Sequence, residues 1–410
     1  NLKKQGPLSC DSKLLFLQNL MTFNFKQKAG NLLQQNTHKS FYQAKKYRYT
    51  VPSNKVYPFQ WFWDSCFHAI SWSHIDTERA KEEIYSLLSH QGTDGFIPHV
   101  IFWNQKLVRR FFLDWNYLES KGRWFFLPFT KKPKTTSHIQ PPLIAQAVEK
   151  IYQKTNDDKF LKLVLPSIIK YYHWLIENRD PDNDGLISIV AQFESGLDFN
   201  PAYDPNTIIF KHSPITFWPF SRLTEVKNKV FYNFNLKQIF KHTNHHQEDI
   251  LVNSIFIQGL NSLSNIAQKY DKKAADWAKV QSQKSLQSLI NKCYDSKSGL
   301  FWNLRGKSEQ KFKIKTVISL MPIIIPDLPK DIVNKLVKHL ENKNQFSAPY
   351  QIPTVSLDES SFKPDNKLIR SFIWRGSVSI NINWFIINGL RKHGYYKLSD
   401  KLTKQSKNLV

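Results

Sequence analysis

The chain has 410 residues, enough for a large buried core, with 41% hydrophobic and 22% charged residues but only 13 Gly and 20 Pro, a composition that excludes collagen-like and broadly disordered proteins. Its net charge of +25 rests on 47 Lys and only 11 Arg, dispersed along the chain. With so few planar guanidinium forks to read bases and phosphates, a nucleic-acid partner is not expected. The densest basic cluster, Lys131, Lys132 and Lys134 around Pro133, reads as a solvated loop. Three cysteines without a C-x-x-C pair argue against a disulfide framework or a structural zinc site and suit a reducing, cytoplasmic compartment. No apolar run reaches the roughly 18 residues needed to cross a bilayer; the longest, Val317 to Ile325, stops at Pro326, so no membrane partner is expected.

Apolar residues recur three or four positions apart along much of the chain, the spacing that paints one face of an α-helix. In chain order this predicts helices over 77–88, with Asp76 as N-cap, over 142–153, 164–178, 248–270, 275–293, 330–340 and 380–391. Within the 248–270 segment the stripe is Val252, Phe256, Leu260, Leu263, Ala267 and Tyr270. Strand-like alternation is rare. No Gly/Ser or Pro-rich linker divides the chain, so one helical domain over residues 1–410 is expected. No fixed repeat period marks a solenoid, whereas a closed ring of helical hairpins around a cavity is compatible.

Between the helices lie long aromatic, Asp-rich segments, where function is usually carried. The first, Tyr57 to His68, places Trp61 and Trp63 beside Asp64. Indole faces cover the C–H faces of a sugar and a carboxylate accepts from its hydroxyls, but a buried aromatic hinge reads equally well. The second, Gln91 to His99, is a Gly92/Gly95 turn ended by Pro98, in which His99 is more often structural than catalytic. Third is Gln140-Pro141-Pro142, where proline fixes a helix start and Gln140 stands just before it.

The fourth segment, Asp180-Pro181-Asp182-Asn183-Asp184-Gly185, mimics the opening of an EF-hand loop. However, Ala191 stands where the bidentate Glu belongs, so calcium and a side-chain-capped polar turn both remain open. It runs on into Glu194-Ser195-Gly196-Leu197-Asp198, two carboxylates in a Gly-containing aromatic loop, a setting that keeps a general acid protonated. The fifth is Trp374-Arg375-Gly376 with Asn383 and Trp384.

In this order the motifs W-x-W-D (61–64), Q-x-x-D-G-x-I-P-H (91–99), Q-P-P (140–142), R-D-P-D-x-D-G-L (179–186), E-S-G-L-D (194–198) and W-R-G (374–376) resemble glycoside hydrolase family 63 and its bacterial mannosylglycerate and glucosylglycerate hydrolases. The resemblance implies an all-α fold, an (α/α)6 toroid of the six-hairpin glycosidase type, and hydrolysis of α-glycosidic bonds with inversion. It further implies Asp198 as general acid, Tyr57, Trp61, Trp63 and Asp64 as the sugar-binding segment, and Gln140 and Trp374 at the rim or floor of the same cavity. The partner implied is a carbohydrate substrate, with no cofactor and no metal.

The family's general base is a Glu several tens of residues beyond the W-R-G and N-W helix, followed by a closing helix. Residues 391–410 contain no Glu, and the late carboxylates Asp358 and Glu359 precede Trp374. The resemblance therefore implies a toroid incomplete at its C-terminal end, with little or no turnover and an exposed apolar stripe. Three readings follow: an α-glycosidase, a sugar-binding protein that does not turn over, and, least supported, a basic helical protein that retains nucleic acid in a salt-dependent way.

Overall fold

The computed structural model describes residues 25–104, 135–204, 223–224, 226–228, 230–364 and 374–409. Cys10 and the cluster of Lys131, Lys132 and Lys134 fall outside these residues.

Among the described residues, the following helices and ten short strands build the part of the fold that carries the site. The helices are α1 (Phe62–Trp72), α2 (Thr77–Leu88), α3 (Ile144–Thr155), α4 (Asp158–Arg179), α5 (Leu236–His242), α6 (Ile250–Ala267), α7 (Lys272–Ser288), α8 (Lys330–Glu341), α9 (Ile380–Lys392) and α10 (Tyr396–Lys407). Aspartates open several of them by accepting from first-turn amides: Asp76 from Glu78 and Arg79, Asp157 from Phe160, Asp249 from Val252 and Asp271 from Ala274. All seven helices expected from periodicity are present. The largest boundary difference is α4, which begins six residues before Val164 because Asp157 caps its first turn, while Pro166 sits inside the helix rather than near its start. Helix α1 lacks an amphipathic signature because nearly all its faces are buried, and the sequence pattern does not predict it.

Consecutive helices pair as hairpins, α1 with α2, α3 with α4, α6 with α7 and α9 with α10. One member of each faces inward. Helix α1 packs on α3, α3 on α6, α6 on the buried 3-10 segment Val317–Ile324, and that segment on α9. Phe67 of α1 then meets Trp384 and Phe385 of α9, with ring centroids 5.9 and 5.5 Å apart, which joins the two ends of this inner series. Gly389 permits the close approach of α9 to this segment, since a Cβ there would lie 2.5 Å from the Ile323 carbonyl oxygen. The apolar run 317–325 is thus an inner wall, and among the described residues no helix is long and apolar enough to cross a membrane. Cys66 and Cys293 are free and buried.

The strands are more numerous than the sequence pattern suggested. A surface hairpin pairs β1 (Thr37–Tyr42) with β2 (Lys45–Thr50). Two-residue β3 (Gln60–Trp61) pairs with β4 (Val100–Ile101), and β7 (Tyr294–Asp295) with β8 (Leu300–Phe301). An antiparallel sheet runs in the order β10 (Gln310–Phe312), β9 (Asn303–Arg305), β6 (Gln247–Glu248) and β5 (Ser188–Ile189). Strands this short give no periodic signal, yet they align the loops of the site.

Candidate active site

Pairing of β3 with β4 sets Trp61 opposite Val100 and lays the W-x-W-D segment beside His99, whose carbonyl accepts from Phe62 at 2.9 Å. The Trp61 and His99 rings meet edge to face at 4.8 Å, and the buried Trp61 indole nitrogen has no acceptor among the described residues. Tyr57 remains 45% exposed with its ring edge on Trp61 at 5.8 Å. Helix α1 has no cap from its own N-cap residue. Instead Gln140 Oε1 accepts from the Trp63 amide at 2.9 Å, so this buried glutamine organises the turn that carries Trp63 and Asp64. Asp64 is half-buried, and desolvation pushes its carboxyl up to about 7.

The E-S-G-L-D loop hangs from a buried ion pair. Arg179, at the end of α4, grips Glu194 through Nη1–Oε2 and Nη2–Oε1 at 2.8 and 2.7 Å. The same carboxylate accepts from Ile139 at 3.0 Å and Val190 at 2.7 Å. Burial raises the affinity of Glu194 for a proton, but the charges of Arg179 and His138 and these hydrogen bonds outweigh it and hold the carboxyl below its ordinary range. Of the two carboxylates in this loop, Glu194 is therefore an ionised anchor. Through Ile139 it also locks the Gln140 segment to the loop that carries half-buried Asp198.

Trp63 reaches that loop directly. Gly196 has φ +76°, and a Cβ there would fall 2.6 Å from the Cζ2 and Cη2 atoms of the Trp63 indole, so only glycine accommodates both the backbone and the ring. On the far side, Asn200 donates from Nδ2 to the Trp374 carbonyl at 2.9 Å. Arg375, fully buried, pairs bidentately with Asp204, with Nη1–Oδ2 at 3.0 Å. Trp63, Asp64, Gln140, Asp198 and Trp374 are thus linked through one loop, and Tyr57 and Trp61 extend the same wall toward the surface. Asn200, Asp204, Asp249 and Tyr203 complete the support: the Tyr203 hydroxyl donates to Asp249 at 2.8 Å. Their side-chain pairings span up to 174 residues, a distance over which sequence spacing carries no information.

Asp358 is partly exposed and ion-paired with Lys315, while Glu359 accepts from the Lys315 amide at 2.8 Å. Both carboxylates are committed to that turn. In the EF-hand-like segment Asp180 accepts from the amides of Asp184 and Gly185 at 3.0 and 2.9 Å, as in a side-chain-capped turn. Asp182, Asp184, Glu248 and Glu309 bring carboxylate oxygens within 4.8 Å of one another, and the Lys292 ammonium lies among them, 2.7 Å from Asp184 and 2.6 Å from Glu309.

Comparison with known proteins gives a consistent picture. The family model described as the mannosylglycerate hydrolase MGH1-like glycoside hydrolase domain matches residues 57–410. A mannosylglycerate hydrolase of Thermus thermophilus is 27% identical over 404 residues, covering 92% of this chain and 90% of the relative. A glucosylglycerate hydrolase of Mycolicibacterium hassiacum is 25% identical over 380 residues, covering 82% and 80%. The crystal structure of a GH63 mannosylglycerate hydrolase from Thermus thermophilus in complex with glucose superposes with a TM-score of 0.74 at 25% identity, covering 93% of this chain and 90% of that one. The series of helical hairpins accordingly has the (α/α)6 toroid fold expected from the motifs.

Proposed function

The chain belongs to the mannosylglycerate hydrolase MGH1-like glycoside hydrolases, and from that membership we propose that it hydrolyses the α-glycosidic bond of a glucosyl- or mannosylglycerate-like substrate with inversion, Asp198 serving as general acid. The observation that carries this reading is the seating of the Trp63 indole on Gly196, two residues before Asp198. A sugar ring stacked on that indole presents its glycosidic oxygen to the acid loop. Asp64, on the next residue of α1, accepts from the sugar hydroxyls, and Trp61 and Tyr57 continue the aromatic wall. Gln140 acts through the α1 turn that it caps, and Trp374 closes the opposite side through Asn200.

Inversion also requires a second carboxylate that activates water on the opposite face, about 6.5–9.5 Å from the acid. Residues 391–410 contain no Glu, so turnover depends on a base that the resemblance does not locate among these residues, and sugar binding without turnover is the second reading. Proton donation by Asp198 stabilises the leaving alkoxide of glycerate, a step worth roughly 10²–10⁴-fold. The test is hydrolysis of mannosylglycerate and glucosylglycerate followed by NMR, which identifies the anomer first released. A β-anomer as first product and a loss of roughly 10²–10⁴-fold in Asp198→Asn support the reading. Full activity of that variant overturns the acid assignment, and binding without hydrolysis by the wild type selects the sugar-binding reading instead.

A further inference from the structure

The direction in which an aspartate side chain leaves the backbone is set by the two peptide planes that flank it. For Asp198 both planes are held. The plane before it is fixed by a backbone bond, the Leu197 carbonyl accepting from the Asn200 amide at 3.0 Å. The plane after it is fixed by a side chain: the Phe199 amide donates to Gln192 Oε1 at 2.8 Å. Phe199 itself has φ +63°, a left-handed conformation that costs a residue with a Cβ about 1–2 kcal/mol and that a phenylalanine does not adopt without restraint.

Gln192 is well placed to restrain it. It opens the 3-10 turn Gln192–Glu194, whose last residue is clamped by Arg179, so the carboxamide projects from an immobile base. Its own carbonyl accepts from the Ser195 hydroxyl at 2.6 Å, and that oxygen accepts from Leu197 at 3.1 Å. The other half of the carboxamide, Nε2, is buried with no partner among the described residues, although an unsatisfied buried amide group costs about 1–3 kcal/mol that an apolar side chain of the same length would avoid. A glutamine at such a position is explained by what its oxygen holds.

We propose that Gln192 is a positioning residue for the proton donor: its carboxamide oxygen locks the left-handed turn at Phe199 and thereby aims the Asp198 carboxyl at the glycosidic oxygen. This rests on Asp198 being the general acid. Misplacement of a catalytic group by about 1 Å lowers a rate by roughly 10²-fold, and here the loss falls only on leaving groups that need a proton. Glycerate is such a leaving group, whereas fluoride departs from an α-glycosyl fluoride without one.

The experiment compares kcat/KM for mannosylglycerate and for α-mannosyl fluoride in the wild type, Gln192→Met, Gln192→Glu and Asp198→Asn. Gln192→Met keeps the length and removes the acceptor. It should lose roughly 10- to 100-fold on mannosylglycerate and retain most of its activity on the fluoride. Gln192→Glu keeps an acceptor for the Phe199 amide and should return the ratio of the two rates toward the wild-type value. Equal losses on both substrates, or an unchanged ratio in Gln192→Met, overturn the positioning role, and Gln192→Leu, which also lacks the acceptor, is read by the same criterion if the methionine variant does not fold. Failure of the underlying reading looks different: Asp198→Asn then retains mannosylglycerate hydrolysis, or the wild type hydrolyses neither substrate.

Discussion

The Trp63 indole and the α-carbon of Gly196 are in direct apposition, leaving no room for a methyl group at Gly196. This contact ties the W-x-W-D segment to the loop bearing Asp198, the proposed acid, across 133 residues of chain. Gly196→Ala must displace the ring and also strain a backbone at φ +76°. A loss of about 1–3 kcal/mol in stability is expected, with weakened sugar binding. Calorimetry and thermal melts check both, and Trp63→Ala, which removes the clash, should recover stability in the double variant without recovering affinity. Undiminished sugar binding by Trp63→Ala alone would show that the indole only fills space.

Asp64 titrates in a useful range. Burial raises its carboxyl to about 7, above the unfolded value near 3.9, so between these pH values the folded state retains a proton that the unfolded state has lost. Its contribution to stability therefore declines as pH rises from about 4 to 7. Acceptance from sugar hydroxyls favours the ionised form, so affinity should increase by several-fold to about tenfold between pH 5.5 and 8.5. Asp64→Asn should bind sugar weakly with this dependence removed; an unchanged pH profile in the variant assigns the titration elsewhere.

Arg179 and Glu194 are both fully buried, and removal of one partner strands a charge. Arg179→Met should cost about 3–5 kcal/mol. In the wild type the depressed carboxyl contributes stability that is complete above the unfolded value near 4.3 and is lost as pH falls through the lower folded value. In the variant the His138 charge and the two amide hydrogen bonds remain, but the Arg179 charge that opposes burial most strongly is gone. The carboxyl should therefore rise, and acidification from pH 7.5 to 5 should cost the variant less than the wild type or stabilise it. Melts of both proteins at the two pH values measure this difference, and a variant that loses as much stability as the wild type contradicts the account.

Lys292 is the counter-ion of four clustered carboxylates. Glu248 among them is raised to about 9, chiefly by burial. Lys292→Met should lose about 1–3 kcal/mol at pH 8, less than a fully buried pair because this ammonium is partly exposed. The loss should shrink at pH 5 as carboxylates protonate. Calcium ions should stabilise the variant and leave the wild type unaffected, as read by thermal shift; equal stabilisation of both proteins would mean that the ammonium does not occupy the cation position.

The helices and the family were legible because both signals are local. A period near 3.6 residues marks α2, α3, α6, α8 and α9 wherever one face is buried and the other wet, and each motif keeps its residues within about ten positions. Cap aspartates, Asp76 above all, stood next to the stripes that they open. The same locality explains the failures: α1 is buried on almost every side and has no stripe, and strands of two residues such as β3 and β4 have no period. Tertiary structure alone decided the roles within the site. Glu194 and Asp198 look alike in sequence, four residues apart in one loop, but it is the first that the Arg179 guanidinium grips and makes an ionised anchor. Gln140, expected at the cavity, also caps α1 through its carboxamide oxygen, which sequence spacing did not show, and Gln192 gave no signal at all. These assignments depend on side chains that meet across tens to hundreds of residues, where electrostatics and hydrogen-bond geometry are set by folding and not by order along the chain.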